Sequence, residues 1–363
     1  MTLRFTRRKL LWGLPACALA SEIVKGHTVP AEERRFADSS TELEVVRLTG
    51  PEHTARMTAP WLKSISRNQS FLLYSSDRAG SMQAWRMDLK NGESRLLTDA
   101  AALDPSSLAL SADERSFYYW DGDTLNHCTF ASARSVPVYR IPQGSERAAG
   151  FTVSLDGMYA AFGLKTASDW RLQLLDLVHR TATTLCQPKA EISEPLIRPR
   201  RAQVLYRRAG TLRLVDFTGQ NDRPLKAAEG GELGPARWSP SGRSVYYLHF
   251  PGAHELNTIR ELTPDENTDK LVSKTSQFVQ FGVNGDGSVF VGASRNKGSP
   301  YVLLLLKVTQ RELTLCEHHS SDPAAVDPVF SPDSQRIFFM SDRDGKPAIY
   351  RIKVEKFVEE TEG

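Results

Sequence analysis

The sequence predicts an all-β protein, a seven-bladed β-propeller with its ring closed by an N-terminal strand that completes the last blade. Three observations predict it. A polar turn recurs seven times, starting at Ser66, Ser111, Ser154, Arg198, Ser239, Asn284 and Ser331, with gaps of 45, 43, 44, 41, 45 and 47 residues. Six residues after each turn start stands an apolar strand position: Leu72, Phe117, Ala160, Val204, Val245, Phe290 and Ile337. A period of about 40–45 residues built from short strands is the signature of one small sheet per repeat around a central channel. Third, Glu44-Val45-Val46-Arg47-Leu48-Thr49 repeats the pattern of Ser94-Arg95-Leu96-Leu97-Thr98, the last strand of the first full repeat. Such a spare outer strand suits the last blade, whose own chain stops after Ala348-Ile349-Tyr350-Arg351-Ile352. Pairing there removes an open sheet edge.

The elements follow in chain order. Residues 1–20 read as an export signal: Arg4, Arg7, Arg8 and Lys9 make a charged start, Leu10 to Leu14 begin an apolar stretch, and Ala18-Leu19-Ala20 is a small-x-small cleavage site before Ser21. Thr6-Arg7-Arg8-Lys9-Leu10-Leu11 resembles the twin-arginine motif of bacterial signals, which implies a periplasmic or secreted protein. Lipoprotein processing at Cys17 is the second reading, disfavoured by Pro15 in the motif. Residues 21–40 are polar and mixed in charge and read as a linker, residues 41–354 as the propeller, and residues 355–363 as a tail. Within a repeat a short innermost strand precedes the turn and a second strand follows it, as in Phe71–Ser75 or Ile337–Ser341. An Asp-Arg-x-Gly hairpin comes next, clearest in Asp77-Arg78-Ala79-Gly80 and Asp342-Arg343-Asp344-Gly345. A third, apolar or aromatic strand completes the pattern, as in Ala84–Leu89, Trp170–Leu177 and Ala348–Val354. Leu303–Leu306 is too short for a membrane span and suits a strand buried on both faces.

Composition narrows the function classes. The formal net charge is +3, but removing Arg4, Arg7, Arg8 and Lys9 with the signal takes it to −1. The basicity belongs to the signal, and nothing supports nucleic-acid binding. With Cys17 gone, Cys128, Cys186 and Cys316 remain; Cys186 and Cys316 end strands three repeats apart, so separate thiols are expected rather than a bridge. There is no Gly-Lys-Ser/Thr phosphate loop, Gly-x-Ser-x-Gly elbow, Cys-x-x-Cys pair or His-Glu-x-x-His, which leaves nucleotide, serine-hydrolase and structural-zinc chemistry unsupported.

The repeats look like the TolB-type propeller repeat, a resemblance that speaks for the fold and weakly for function. A closer resemblance covers residues 41–354. Thr41-Glu42-Leu43-Glu44-Val45-Val46-Arg47-Leu48-Thr49 and Leu315-Cys316-Glu317-His318-His319-Ser320-Ser321 resemble segments of the oligogalacturonate lyases. So does Pro328-Val329-Phe330-Ser331-Pro332-Asp333 leading to Ser341-Asp342-Arg343-Asp344-Gly345-Lys346-Pro347-Ala348-Ile349-Tyr350. The resemblance implies a seven-bladed propeller that splits oligogalacturonides by β-elimination with manganese. That chemistry needs a cation on the uronate carboxylate and a base for the adjacent weakly acidic proton.

In that family the metal and base histidines enter at the start of innermost strands, where blades converge on one mouth. Here Leu62, Ser107, Gly150, Glu194, Pro235, Gln280 and Asp327 stand four residues before each turn. The resemblance places the family's catalytic base at Pro235, metal histidines at Gln280, Ala325 and Asp327, and a metal-binding glutamine at Asp322. Two readings follow: catalysis has been lost, since Pro235 is no base, or the site is rebuilt with Gln280, Asp322 and Asp327 as oxygen ligands for manganese or calcium. Loss is the better reading, because a Pro and an Ala replace two histidines. His318 and His319 are read as surface or packing residues, and His249 and His254 as substitute bases only where their loop covers the mouth. Substrate-binding candidates are Glu194, Trp61 for stacking on a sugar ring, and Arg147 and Arg200 for bidentate pairing with carboxylates. Arg200 belongs to a cluster with Arg198, Arg201, Arg207 and Arg208 that reads first as a solvated blade face. The expected partner is an acidic oligosaccharide; the alternative is a non-catalytic propeller of the TolB kind that binds a protein in the periplasm. The first predicts a deep polar mouth with Trp61 accessible, the second a shallow mouth.

Overall fold

The computed structural model describes residues 24–252 and 255–354. Residues 1–20, read above as an export signal, and residues 355–363 lie outside the described residues, as does His254.

Each repeat turn closes through the same local chemistry. The backbone N–H of the first turn residue donates to the carbonyl five residues on, from Ser66 to Phe71 (3.1 Å) through Ser331 to Arg336 (2.8 Å), in all seven repeats. In six of them the side-chain oxygen of that first residue accepts the return bond. Phe71, Ser116, Tyr159, Ser244, Val289 and Arg336 donate their N–H groups to Ser66, Ser111, Ser154, Ser239, Asn284 and Ser331. A short side chain with an oxygen is therefore required there, which is why Ser and Asn recur. The Asp-Arg-x-Gly hairpins close by a bond from Gly80 to Asp77 and from Gly345 to Asp342, each at 2.9 Å. Gly80 sits at φ 91°, where a side chain would be strained.

The strands assemble into seven antiparallel sheets among the described residues. The innermost strands, in blade order, are Ala55–Arg56, Ala109–Leu110, Glu146–Val153, Ile192–Ile197, Glu232–Trp238, Phe278–Val283 and Val329–Phe330. The seventh sheet joins Glu44–Arg47 to Ala348–Lys353 with Val45 opposite Ile352 and Arg47 opposite Tyr350. Val45 is fully buried in the core between the sixth and seventh blades. The core is distributed between neighbouring sheets; Phe281, Phe290, Tyr246 and Leu305 fill one such layer.

The stretch read as a linker contributes strands. Thr28–Val29 pairs with Ser94–Leu96 at the outer edge of the first blade, and Arg34–Ala37 pairs with Glu44–Arg47 at the outer edge of the seventh. Outer-edge strands face water on most sides, so their polar composition carries no strand signal. Trp120 lies on Ser116–Asp121 and is fully buried against Phe162 and Phe151. Cys128, Cys186 and Cys316 are free thiols.

Candidate functional site

The innermost strands bend where they approach the channel. Pairing with the second strand shifts register between Arg147 and Phe151, Ser193 and Leu196, Leu233 and Ala236, and Phe278 and Gln280. These bulges fall at the positions four residues before the turns. Gly150, Glu194 and Asp327 have positive φ of 94°, 50° and 42°. A bulge and a left-handed residue re-aim side chains out of the strand alternation, and both cluster at functional sites.

The re-aimed residues meet at one cavity of about 840 Å³. Glu194, Pro235, Gln280 and Asp327 line it, with Trp61, Arg207 and Arg237. Four of the seven converging positions read from the repeat therefore share one site. A second cavity of about 420 Å³ lies beyond, lined by the turn side of the channel at Pro199, Pro240 and Pro332. Trp61 and Arg237 line both cavities and form the partition between them.

The electrostatics of the mouth rest on three groups. Arg207 is buried; its Nε donates to Glu194 at 3.0 Å, one terminal nitrogen to the Leu233 carbonyl at 3.0 Å, and the other to the Gly234 carbonyl. A guanidinium has five N–H donors, so two remain for a ligand. Arg237 is 6% exposed. It donates to its neighbour's carbonyl at Ala236 (2.8 Å) and to Gln280 Oε1 (3.3 Å), and its Nε has no partner. Its guanidinium lies over the Trp61 ring at 5.1 Å and near Phe281 at 5.8 Å. Burial lowers its pKa, while the charges of Asp327 and Glu194 act the other way. Asp327 has a fully shielded Oδ1 without a partner. Burial pushes its carboxyl up to about 6, with Arg237 opposing and Asp322 adding to the rise.

The other candidates fall elsewhere. Arg147 is held by an ion pair with Asp104 and lies over the Trp120 ring at 5.3 Å, outside the mouth lining. Arg200 is exposed in the turn after Ile192–Ile197, past the end of that strand remote from Glu194. Asp322 caps the short 3-10 turn Pro323–Ala325 by accepting the Ala324 N–H at 2.9 Å, and does not line the mouth. Trp61 lines the mouth, but Arg237 covers a ring face and Nε1 donates to the Phe151 carbonyl at 2.7 Å, so its first role is to hold the partition. His318 is fully buried: Nδ1 accepts the Ser320 N–H and Nε2 donates to the Ser294 carbonyl, which makes it a packing residue. His249 is buried and bonded to the Gly230 carbonyl at 2.7 Å, and no histidine lines the mouth among the described residues. Arg237 escaped sequence reasoning: it stands two residues after Pro235 on the same innermost strand, but the register shift between Leu233 and Ala236 interrupts the alternation of faces there.

The residues at the mouth do not fit a manganese site. Among the described residues no three His, Cys, Asp or Glu side chains converge as cation ligands. The Ala325 side chain offers no ligand atom, Asp322 lies outside the mouth lining, and the Gln280 oxygen faces a guanidinium.

No family model matches the chain. It is 24% identical to the oligogalacturonide lyase of Pectobacterium atrosepticum and to the oligogalacturonate lyase of Dickeya dadantii, in each case over 92% of this chain and 98% of the relative. In fold it matches an oligogalacturonate lyase solved in complex with manganese, at TM-score 0.88 and 22% identity, over 92% of this chain and 99% of the other. The oligogalacturonate lyase of Vibrio parahaemolyticus superposes at TM-score 0.87 and 21% identity, over 92% of this chain and 100% of the other. Over nearly its whole length, then, the chain is a seven-bladed relative of the oligogalacturonate lyases.

Proposed function

We propose that this chain acts on acidic oligosaccharides of the uronate class, bound in the mouth cavity. The observation that carries the reading is the pairing of two buried arginines, Arg207 and Arg237, on the floor of a polar cavity where the innermost strands converge. Planar guanidinium groups meet carboxylates through two parallel bonds, and in a site shielded from water that pairing gains strength. Similarity to the lyases supports the same substrate class.

Among the described residues no histidine lines this site, so elimination there is assigned a different base. Pro235 has neither a base nor an N–H, so the position that resembles the family's base contributes only shape. Glu232 and Asp327 are the mouth carboxylates outside an ion pair; Glu232 is exposed, whereas Asp327 has an unpartnered Oδ1 and a carboxyl held up to about 6, near the operating range of a general base. Arg207 would hold the uronate carboxylate while negative charge builds beside it. The reaction is checked by ultraviolet absorbance of unsaturated uronate released from oligogalacturonides by residues 21–363. Product that vanishes in Asp327→Ala supports elimination through Asp327. Neither product nor binding of any oligogalacturonide overturns the substrate reading.

Export is part of the proposal. The charged start, the apolar stretch and the small-x-small site of residues 1–20 support it, and N-terminal sequencing of the protein recovered from the periplasm of a bacterial host is expected to begin at Ser21.

A further inference from the structure

We propose that the guanidinium of Arg237 stands in place of a divalent cation, so that this chain recognises a uronate carboxylate without a metal ion. The inference rests on the acidic-oligosaccharide reading above and specifies how that site is charged.

The resemblance to the lyases points to Gln280, Asp322, Ala325 and Asp327 as the positions from which a metal would be held. The side chains present there face a different cation. Gln280 directs Oε1 at Arg237 across 3.3 Å. Asp327 leaves Oδ1 shielded from water with no partner, on the same cavity floor as an Arg237 Nε that also has none. Burying a charge without compensation is costly, and the opposite charges of Arg237 and Asp327 each offset part of that cost for the other.

Room for a second cation is poor on electrostatic grounds. The cationic groups acting on Asp327 are Arg237 and Arg56, and Arg207 acts on Arg237. The anionic groups near them are Glu194, already paired to Arg207, Asp322, whose Oδ1 accepts a bond from its own turn, and Glu232, which is exposed at the cavity. A divalent ion set between Gln280 and Asp327 would lie against this cluster of guanidinia, where like charges repel. The Trp61 ring behind Arg237 and the bond from Trp61 to the Phe151 carbonyl hold the guanidinium in place. A fixed guanidinium supplies the positive charge a carboxylate needs and adds directional donors.

The test is calorimetric titration of trigalacturonate into residues 21–363, once in excess EDTA and once in excess manganese. The expected result is the same Kd in both, within about twofold. Arg237→Met is expected to weaken binding by about tenfold or more, the loss of a charged hydrogen-bonding group. Arg237→Lys, which keeps the charge but not the fork, is expected to lie between, and it preserves the test where Arg237→Met fails to fold. Electron paramagnetic resonance of added manganese supplies an independent readout: the free-ion signal should persist in the presence of the wild-type protein. Binding that EDTA abolishes and manganese restores, or a manganese signal lost in stoichiometric proportion to protein, overturns the inference and leaves the substrate reading standing. No binding in either buffer overturns the substrate reading and the inference with it.

Discussion

A carboxylate with one oxygen shut away from water and from any donor is an expensive thing to keep charged, and Asp327 shows the cost. Burial raises its pKa from 3.8 to about 6, more than the attraction of Arg237 lowers it. Between those two values the native state holds a proton that the unfolded state has released. Asp327 therefore makes the protein lose stability as pH rises through that window, while below the unfolded value it makes no difference. A shift of this size, discounted because Asp327 is only half-buried as a residue, corresponds to about 2 kcal/mol. Asp327→Asn is thus expected to stabilise the fold by up to about 2 kcal/mol at neutral pH and by little at about pH 3.5. Urea denaturation at the two pH values checks this. An equal gain at both would mean that the amide merely packs better.

At the scale of the element, the repeat turn explains both what could be read and what misled. Six turns start with a short side-chain oxygen that accepts a backbone N–H five residues on. The fourth starts with Arg198, which reads from sequence as part of a surface cluster. Instead it is fully buried and reaches into the next blade. Nε donates to the Gly242 carbonyl at 2.7 Å, the terminal nitrogens pair with both oxygens of Asp265 at 2.7 and 2.9 Å, and the guanidinium lies over Trp238. It ties the fourth turn to the fifth blade. Arg198→Ala is expected to cost about 2 kcal/mol, less than breaking a fully buried pair because Asp265 stays partly in water and can be rehydrated. The Arg198 bonds hold the Asp265 carboxyl below its ordinary value. The stability from this pair is present above the unfolded value of 3.8 and is lost as pH falls through the lower native value, so the difference between variant and wild type should shrink in acid. Thermal unfolding of both proteins at two pH values measures it.

At the scale of the whole molecule, closure of the ring depends on a strand from the far end of the chain. Glu44–Arg47 covers the edge of Ala348–Lys353 and buries Val45, Val46 and Leu48. A chain that begins at residue 51 exposes that edge and loses these side chains. It is expected to unfold without a single cooperative transition and to associate, as unpaired strand edges do. A chain that begins at residue 31 loses only the two-residue outer strand Thr28–Val29 of the first blade and should keep a cooperative transition. Scanning calorimetry with light scattering distinguishes the two; cooperative, monomeric unfolding of the shorter chain would show that the ring closes without its N-terminal strand.

The sequence by itself determined the repeat, because turns and strand periods are local: a Ser or Asn that accepts a backbone N–H five residues on leaves a mark in six of the seven blades. It also placed Leu62, Ser107, Gly150, Glu194, Pro235, Gln280 and Asp327 at equivalent points of the seven blades, because they share one offset from the turn; that Glu194, Pro235, Gln280 and Asp327 line one cavity came from the structure. Only the tertiary structure decided which charges meet. Arg237 and Asp327 stand ninety residues apart in the chain. Their coupling depends on bulges and positive φ that no local pattern announces, and on a partition built from Trp61 of a different blade. The same physics separated the arginines. Arg207 faces the mouth and Arg198 is buried between blades, while Arg200 stays in solvent, although all three read as one cluster. Position along a strand is encoded one repeat at a time; the field a side chain feels is set by all the blades around it.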